Sequence, residues 1–263
     1  MDKQERTQPA SATDDARVRE ADPWQALDKV LSLLCARSGH DFRQYKRAAV
    51  LRRIERRLQM RSVADLNAYC LLLEQDHGEA DALMKDLMIG VTSFFRDREA
   101  FDALAQQVLP QIFHGRGPDD HVRAWVPACA IGEEAYSLGM PLAEHEAGMS
   151  APPAVQVFAS DINQHVIAMA RTGLYPASIA DAMPRERLEC HFVLDNGHYK
   201  VRKPLRNRIL FAAHNLLHDP PFAQLDLVSC RNVLIYLNRD MHRRVLETFH
   251  FALKPGRALT DGR

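Results

Sequence analysis

Between Val122 and Ser137 the chain reads VRAWVPACAIGEEAYS, a short apolar run that breaks into small residues and restarts as a helix at two adjacent glutamates. No other stretch restricts the fold as much. A strand must end and a helix begin within a few residues, and the small side chains between them let a ligand approach bare backbone. The new helix start has unpaired N–H groups and the positive end of the macrodipole, which suit carboxylates, phosphates or hydroxyl-rich ligands. One helix length later a second apolar run, Val155 to Ser160, ends on Asp161, an acid placed to take the two hydroxyls of a ribose. Together the two segments read as a nucleoside pocket.

The same grammar continues on both sides. Val122–Val126, Glu133–Glu146, Val155–Ser160, Asn163–Arg171, Arg208–Ala213, Leu225–Cys230 and Arg239–Leu253 follow a strand-and-helix pattern, which predicts a doubly wound α/β domain over residues 121–263. Between about residues 174 and 206 the alternation lapses. There, Phe192–Leu194, Asp195–His198 and Tyr199–Val201 read as strand, turn and strand of a small inserted β unit. After Lys254, Pro255 and Gly256, residues 257–263 read as too polar and too short to form further strands. The sheet is therefore expected to be incomplete at its C-terminal end.

Residues 24–113 show helical spacing instead: Trp24, Leu27, Val30, Leu31 and Leu34, then Val50, Leu51, Ile54 and Leu58, then Leu66, Tyr69, Leu72 and Leu73. This predicts an all-helical N-terminal domain, with Ser62 and Asp65 forming a capping box for its third helix. Residues 1–23 carry one valine and no aromatic, and read as a disordered tail.

Several function classes are disfavoured by composition. With 34 basic and 34 acidic side chains, no global field draws the chain to nucleic acid or to an anionic membrane. The five cysteines include no C-x-x-C pair and the twelve histidines lack ligand spacing, so neither a disulfide framework nor a metal site is expected. No apolar stretch approaches the roughly 18–20 residues of a membrane span, and the polar N-terminus has no signal-peptide centre. The expectation is a soluble cytoplasmic protein.

Individual motifs are weaker than their combination. The segment VTSFFRDR places two aromatics beside Arg96; alone it is a hydrophobic hinge, and in a ligand site its guanidinium would orient a carboxylate. Glu133 and Glu134 are dipole-complementing acids unless Asp161 shares a ligand with them. Asn215 and Asn232 each follow a strand at its carboxyl end, where open α/β sheets bind ligands. Asp219–Phe222 (DPPF) resembles a signature of amino-group methyltransferases but precedes its strand instead of following it, so it is read as stiffening the approach. Lys46–Arg61 holds seven basic residues and one acid with no interleaved aromatic, a better match to an acidic protein helix than to RNA.

In order, the motifs DFRQYKRAAVLRRIERRLQ, IGVTSFFRD, ACAIGEEAYSL, FASDI, GLYP, FAAHNLLHDPPF and LDLVSCRNVLIYL resemble those of the chemotaxis receptor glutamate methyltransferases, the CheR family. The resemblance covers about Gly39 to Gly256, and its wording is closest to versions within larger hybrid signalling proteins. It implies a class I methyltransferase sheet, in whose strand order the short C-terminal end leaves the fourth strand as an exposed apolar edge, S-adenosylmethionine as cofactor, and methyl transfer to glutamates of receptor cytoplasmic helices. By that resemblance Thr92, Arg96, Glu133, Asp161, Asn215, Leu216, Asn232 and Val233 contact the cofactor. Arg96 and Tyr236 adjoin the reacting glutamate, and Arg52, Arg53, Arg56 and Arg57 of the basic helix face the receptor. Three departures keep a non-catalytic cofactor-binding or receptor-docking module as the alternative. Bulky Ile131 stands in the cofactor loop, Gly139 and Pro141 interrupt the following helix, and the sheet ends early. A nucleic-acid methyltransferase ranks third.

Overall fold

A computed structural model describes residues 23–88, 90 and 92–261. The tail expected over residues 1–23 therefore lies outside the described residues except for Pro23. The helical unit consists of α1 (Pro23–Ser38), a short 3-10 turn (Phe42–Gln44), α2 (Arg47–Arg61), α3 (Leu66–Gln75) and α4 (His77–Leu87). Its boundaries follow local chemistry. Gly39 takes φ +72° and returns its N–H to the Cys35 carbonyl, closing α1. Asp65 and Asp76 cap α3 and α4 by accepting the N–H groups of Ala68 and Glu79. The expected capping box does not form, because Ser62 is used to end α2 in a left-handed conformation and Asp65 caps α3 without it. Leu27, Leu31, Ile54, Tyr69, Leu73 and Leu83 fill this unit's core. Trp24 is 43% exposed, with the Arg47 guanidinium over its ring.

Residues 98–113, expected with the helical unit, pack elsewhere. They form α5 (Arg98–Ala103), a π turn (Leu104–Val108) and α6 (Leu109–Phe113), and Phe101, Leu104, Ile112 and Phe113 join the core of the α/β unit. Helical periodicity marks a buried face without saying which core it faces.

The α/β unit comprises β1 (His121–Pro127), α7 (Glu133–Ala147), β2 (Ala154–Asp161), α8 (Gln164–Thr172), β3 (Leu174–Pro176), α9 (Arg185–His191), β4 (Phe192–Asp195), β5 (His198–Val201), α10 (Lys203–Arg206), β6 (Ile209–Ala213), β7 (Leu225–Cys230), α11 (Arg239–Ala252) and β8 (Leu253–Asp261). The main sheet runs β6-β2-β1-β7-β8, and every neighbouring pair is parallel. The chain winds outward from β1 through β2 to β6, then returns to the other side of β1 as β7 and β8. That reversal opens a crevice at the carboxyl ends of β1 and β7, the position where such sheets bind ligands. The inserted β unit is a separate antiparallel sheet, β3-β5-β4, whose hairpin turns through Asn196 and Gly197, both at positive φ.

The expected bare edge at the fourth strand is corrected. Strand β7 is buried along its whole length and pairs with β8, placing Ala258, Leu259, Thr260 and Asp261 opposite Leu227, Val228, Ser229 and Cys230. Its side chains reach both layers, with Leu253 and Leu259 packed against one hydrophobic cluster and Ala258 on the opposite face against the other, and its backbone satisfies donors and acceptors that β7 would otherwise leave unpaired.

The two units meet along the start of α2. Tyr45 forms a β-bridge with Leu237, the Lys46 N–H donates to the Tyr236 carbonyl at 2.8 Å, and the Asn238 N–H donates to Gln44 O at 3.0 Å.

Candidate cofactor site

The loop after β1 is shaped by its backbone. Ala128, Ala130 and Gly132 alternate through left-handed conformations, at φ 52°, 48° and 91°. For alanine such a conformation costs about 1–2 kcal/mol, so the loop must be held from outside. Its hydrogen bonds do this: the Cys129 N–H donates to Ser160 O at 2.9 Å, the Ala130 N–H to Asp161 Oδ2 at 2.9 Å, and the Tyr175 hydroxyl to Ile131 O at 2.7 Å. Gly132 is required on two counts, since a Cβ there would also lie 3.0 Å from Ala170 Cβ and from the Phe211 ring.

The expected crowding by Ile131 does not occur, because its side chain packs against the α/β core and is not among the residues lining the cavity described below. Helix α7 likewise continues to Ala147 through a buried Pro141. Gly139 lets α10 and β6 press close, as a Cβ there would lie 3.0 Å from Leu205 and 3.2 Å from Ile209.

Asp161, at the end of β2, accepts the Ala130 N–H on one oxygen and the Asn163 N–H on the other, each at 2.9 Å. Burial pushes its carboxyl above the ordinary range, and these backbone donors oppose that shift. Its remaining lone pairs face a cavity lined by Thr92, Arg96, Ala128–Ala130, Glu134, Asp161, Asn232, Val233 and Tyr236, together with Tyr45 and Met88 of the helical unit.

The segment bearing Arg96 is fastened to α7 by Ser137, whose hydroxyl accepts the Phe95 N–H at 2.9 Å and donates to Glu133 O at 2.7 Å. Phe94 packs edge-on to Tyr175 and Phe192, tying this segment to the inserted β unit. Arg231 extends under the same segment, with its guanidinium over Phe101 and paired with Asp97 at 2.9 Å.

The paired glutamates divide. Glu134 lines the cavity, and its Oε1 accepts the Ser229 hydroxyl at 2.7 Å. Burial pushes its carboxyl up to about 7, against the opposing pull of Ser229, Arg231 and Arg96. Glu133 is not part of the lining; it is hydrogen-bonded to Thr92, while its Oε2 is buried without a partner. Adjacent helical residues point about 100° apart, so one cavity wall takes one of the pair. The sequence signal for the choice is Ser137, one turn beyond Glu133, which marks that face as the one turned to the Arg96 segment.

Of the residues expected at the cofactor, Thr92, Arg96, Asp161, Asn232 and Val233 thus share one cavity with Tyr236, whereas Asn215 and Leu216 lie outside its lining. Asn215 is occupied in its own turn, its side chain accepting the Leu217 N–H and its N–H donating to Asp219, and Leu216 packs into the core beneath α11. Tyr45, Glu134 and Arg231 are among the lining residues that the sequence motifs did not assign to the cofactor. Among the described residues no group of three or more His, Cys, Asp or Glu side chains is placed to hold a metal, and no helix is long and apolar enough to cross a membrane.

Residues 90–263 match the CheR methyltransferase SAM-binding domain, and residues 25–88 match the CheR methyltransferase all-alpha domain. The chain belongs to the CheR methyltransferase family. As a CheR-type methyltransferase it carries an S-adenosylmethionine-binding α/β unit behind an all-helical one. It is 33% identical over 245 residues to a chemotaxis protein methyltransferase of Escherichia coli, covering 89% of this chain and 82% of that protein. To chemotaxis protein methyltransferase 1 of Pseudomonas aeruginosa it is 30% identical over 217 residues, covering 80% of this chain and 79% of the relative. It is also 38% identical over 250 residues to an uncharacterized 104.1 kDa protein of Rhodobacter capsulatus, where 93% of this chain matches but only 26% of that protein is spanned.

In this CheR chain the four arginines of α2 expected to face a receptor have different surroundings. Arg52 and Arg56 are exposed. Arg53 is half-buried, donating to Leu87 O at 3.1 Å with its guanidinium 5.7 Å from the Tyr236 ring centre. Arg57, expected to face a receptor, is buried instead. It donates to both carboxylate oxygens of Glu79, at 2.9 and 2.6 Å, and Tyr69 donates to the same carboxylate at 2.5 Å.

Proposed function

We propose that this chain is a protein-glutamate O-methyltransferase that transfers a methyl group from S-adenosylmethionine to glutamate side chains of chemotaxis receptors. The observation that carries the reading is that Arg96 and Tyr236 line the same cavity as Asp161 and Glu134, with the basic helix held against it through Arg53 and Tyr236. The donor set fits the cofactor. Asp161 suits its ribose diol, Glu134 its ammonium, and Thr92, Asn232 and Val233 complete the wall. Glu133 acts behind them as a positioning residue through Thr92. Asn215 and Leu216 support the turn beside the site.

When bound, S-adenosylmethionine supplies a methyl group on a positively charged sulfonium. The receiving glutamate is ionised at neutral pH, so the chain needs no general base. Arg96 holds the carboxylate through its forked donors and fixes the line of approach, which is where the rate gain arises. Tyr236, gripped by Arg53 on its ring and by the Lys46 N–H on its carbonyl, forms the cavity wall beside the line of approach and keeps water from the reacting atoms. Exposed Arg52 and Arg56 face the acidic receptor helix, with Arg53 between that surface and the cavity. The match to about a quarter of a 104.1 kDa relative accords with such a unit working inside a larger signalling protein.

The test is incubation with receptor-containing membranes and methyl-labelled S-adenosylmethionine. Base-labile label on receptor glutamates, lost in Arg96→Ala, is expected. Cofactor binding without transfer, or label on RNA or DNA, refutes the reading.

A further inference from the structure

Tyr45 brings a polar side chain from the helical unit to the cavity, beside the apolar Leu87 and Met88. It follows the 3-10 turn Phe42–Gln44, packs against the cores of both units, and lines the cavity together with Asp161 and Asn163. Burial, and then the nearby Asp161 carboxylate, push its phenol up to about 12, so at neutral pH it is a hydroxyl with a proton to give.

Where that proton points follows from His40. The imidazole is 3% exposed, and its Nε2 lies 3.3 Å from the Tyr45 hydroxyl oxygen. Burial, reinforced by His218, lowers its pKa to about 4, so the ring is neutral and carries one N–H. Its Nδ1 is buried and has no hydrogen-bond partner. A proton on Nδ1 would strand a donor in the interior, whereas a proton on Nε2 strands only a lone pair. Buried donors without acceptors are the rarer of the two defects, so the proton resides on Nε2 and is donated to Tyr45. The tyrosine oxygen then accepts from His40, and its own proton is left for another acceptor.

We propose that Tyr45 is a cofactor-contacting residue contributed by the helical unit, donating its phenolic proton to an acceptor on the nucleoside half of S-adenosylmethionine, with His40 as the positioning residue that orients it. The nucleoside half is specified by the side chain beside Tyr45: Asp161 is the acid suited to the ribose diol, and Glu134 is the acid suited to the ammonium. The inference rests on assigning this cavity to the cofactor.

Titration calorimetry with two probes tests it: S-adenosylhomocysteine, and 5′-methylthioadenosine, which keeps the nucleoside and lacks the amino acid. Tyr45→Phe should weaken both by about 3- to 10-fold, the size of one neutral hydrogen bond, with thermal unfolding of the unliganded protein recorded alongside to separate lost contact from lost fold. His40→Gln, whose amide can still donate to the hydroxyl, should bind both probes nearly as the wild type does, and His40→Leu should fall with Tyr45→Phe. Unchanged binding of both probes by Tyr45→Phe overturns the proposal, as does a loss confined to S-adenosylhomocysteine. Equal behaviour of the two His40 variants overturns the orienting role. A wild type that binds neither probe removes the cavity assignment itself, whereas normal wild-type binding with an indifferent Tyr45→Phe removes this inference alone.

Discussion

Replacing Arg57 by alanine should destabilise the protein by about 3 kcal/mol, while the same change at Arg56, its neighbour on α2, should cost no more than about 0.5 kcal/mol. The difference is set by Glu79. Its side chain is 1% exposed and receives two hydrogen bonds from Arg57 and one from Tyr69. Without the guanidinium a carboxylate remains in the interior with Tyr69 and, at 3.4 Å, the Nε of Arg61. Breaking a buried pair from one side costs about 3–5 kcal/mol. Arg61 is 42% exposed and gives only partial, solvent-screened replacement, which favours the lower end.

For a chain of this size, about 3 kcal/mol corresponds to a fall in melting temperature of about 6–12 °C, measurable by circular dichroism. The pH dependence has a definite sign. Burial alone would raise the Glu79 carboxyl, but Arg57 and Tyr69 outweigh it and hold the carboxyl below its usual range. A depressed folded-state pKa gives stability that is present above the unfolded value and lost as pH falls through the folded one. The gap between wild type and Arg57→Ala should therefore narrow in acid. A gap under about 0.5 kcal/mol at neutral pH, or an equal loss in Arg56→Ala, would refute the structural role assigned to Arg57.

Gly132→Ala combines left-handed strain of about 1–2 kcal/mol with overpacking of about 1–3 kcal/mol against Ala170 and Phe211; urea unfolding should show a loss of at least about 2 kcal/mol, and calorimetry a weaker S-adenosylhomocysteine complex. Burial raises the Glu134 carboxyl from its ordinary 4.5 to about 7, so between those values the folded state binds more protons than the unfolded one. Stability without cofactor should fall as pH rises through that window, and Glu134→Gln should flatten the slope. S-adenosylhomocysteine should meanwhile bind the wild type more tightly as pH rises through 7, because the charged carboxylate is the partner for its ammonium. A pH-independent affinity would count against that pairing.

What could be read from the sequence was what neighbouring residues decide together. The run from Val122 to Ser137 fixes β1, the loop and α7 because apolar, small and helix-starting residues follow one another without gaps. Asp161 is marked by its place at the end of the next apolar run. Strand β8 was hidden because its polar residues look like a loop until β7, distant in sequence, supplies the backbone ladder that its edge pairs with. The destination of residues 98–113 was hidden because an amphipathic stripe fits either core. The burial of Arg57 depends on an acid 22 residues later, and the basic run around it gives no hint which of its arginines is taken. Glu134 and Glu133 differ only in helical phase, and Tyr45 enters the site through tertiary docking that no local pattern records.

Because the cavity lies on the seam between two hydrophobic cores, with Tyr45 and Met88 on one side and Asp161, Glu134 and Asn232 on the other, a ligand seated there belongs to neither unit alone. Its binding energy is realised only while both are folded and docked, so saturation transfers stability across the seam by mass action. Occupancy then couples the folding of the helical and α/β units, and an empty cavity leaves each to its own core and to the backbone bonds of Tyr45, Lys46 and Asn238.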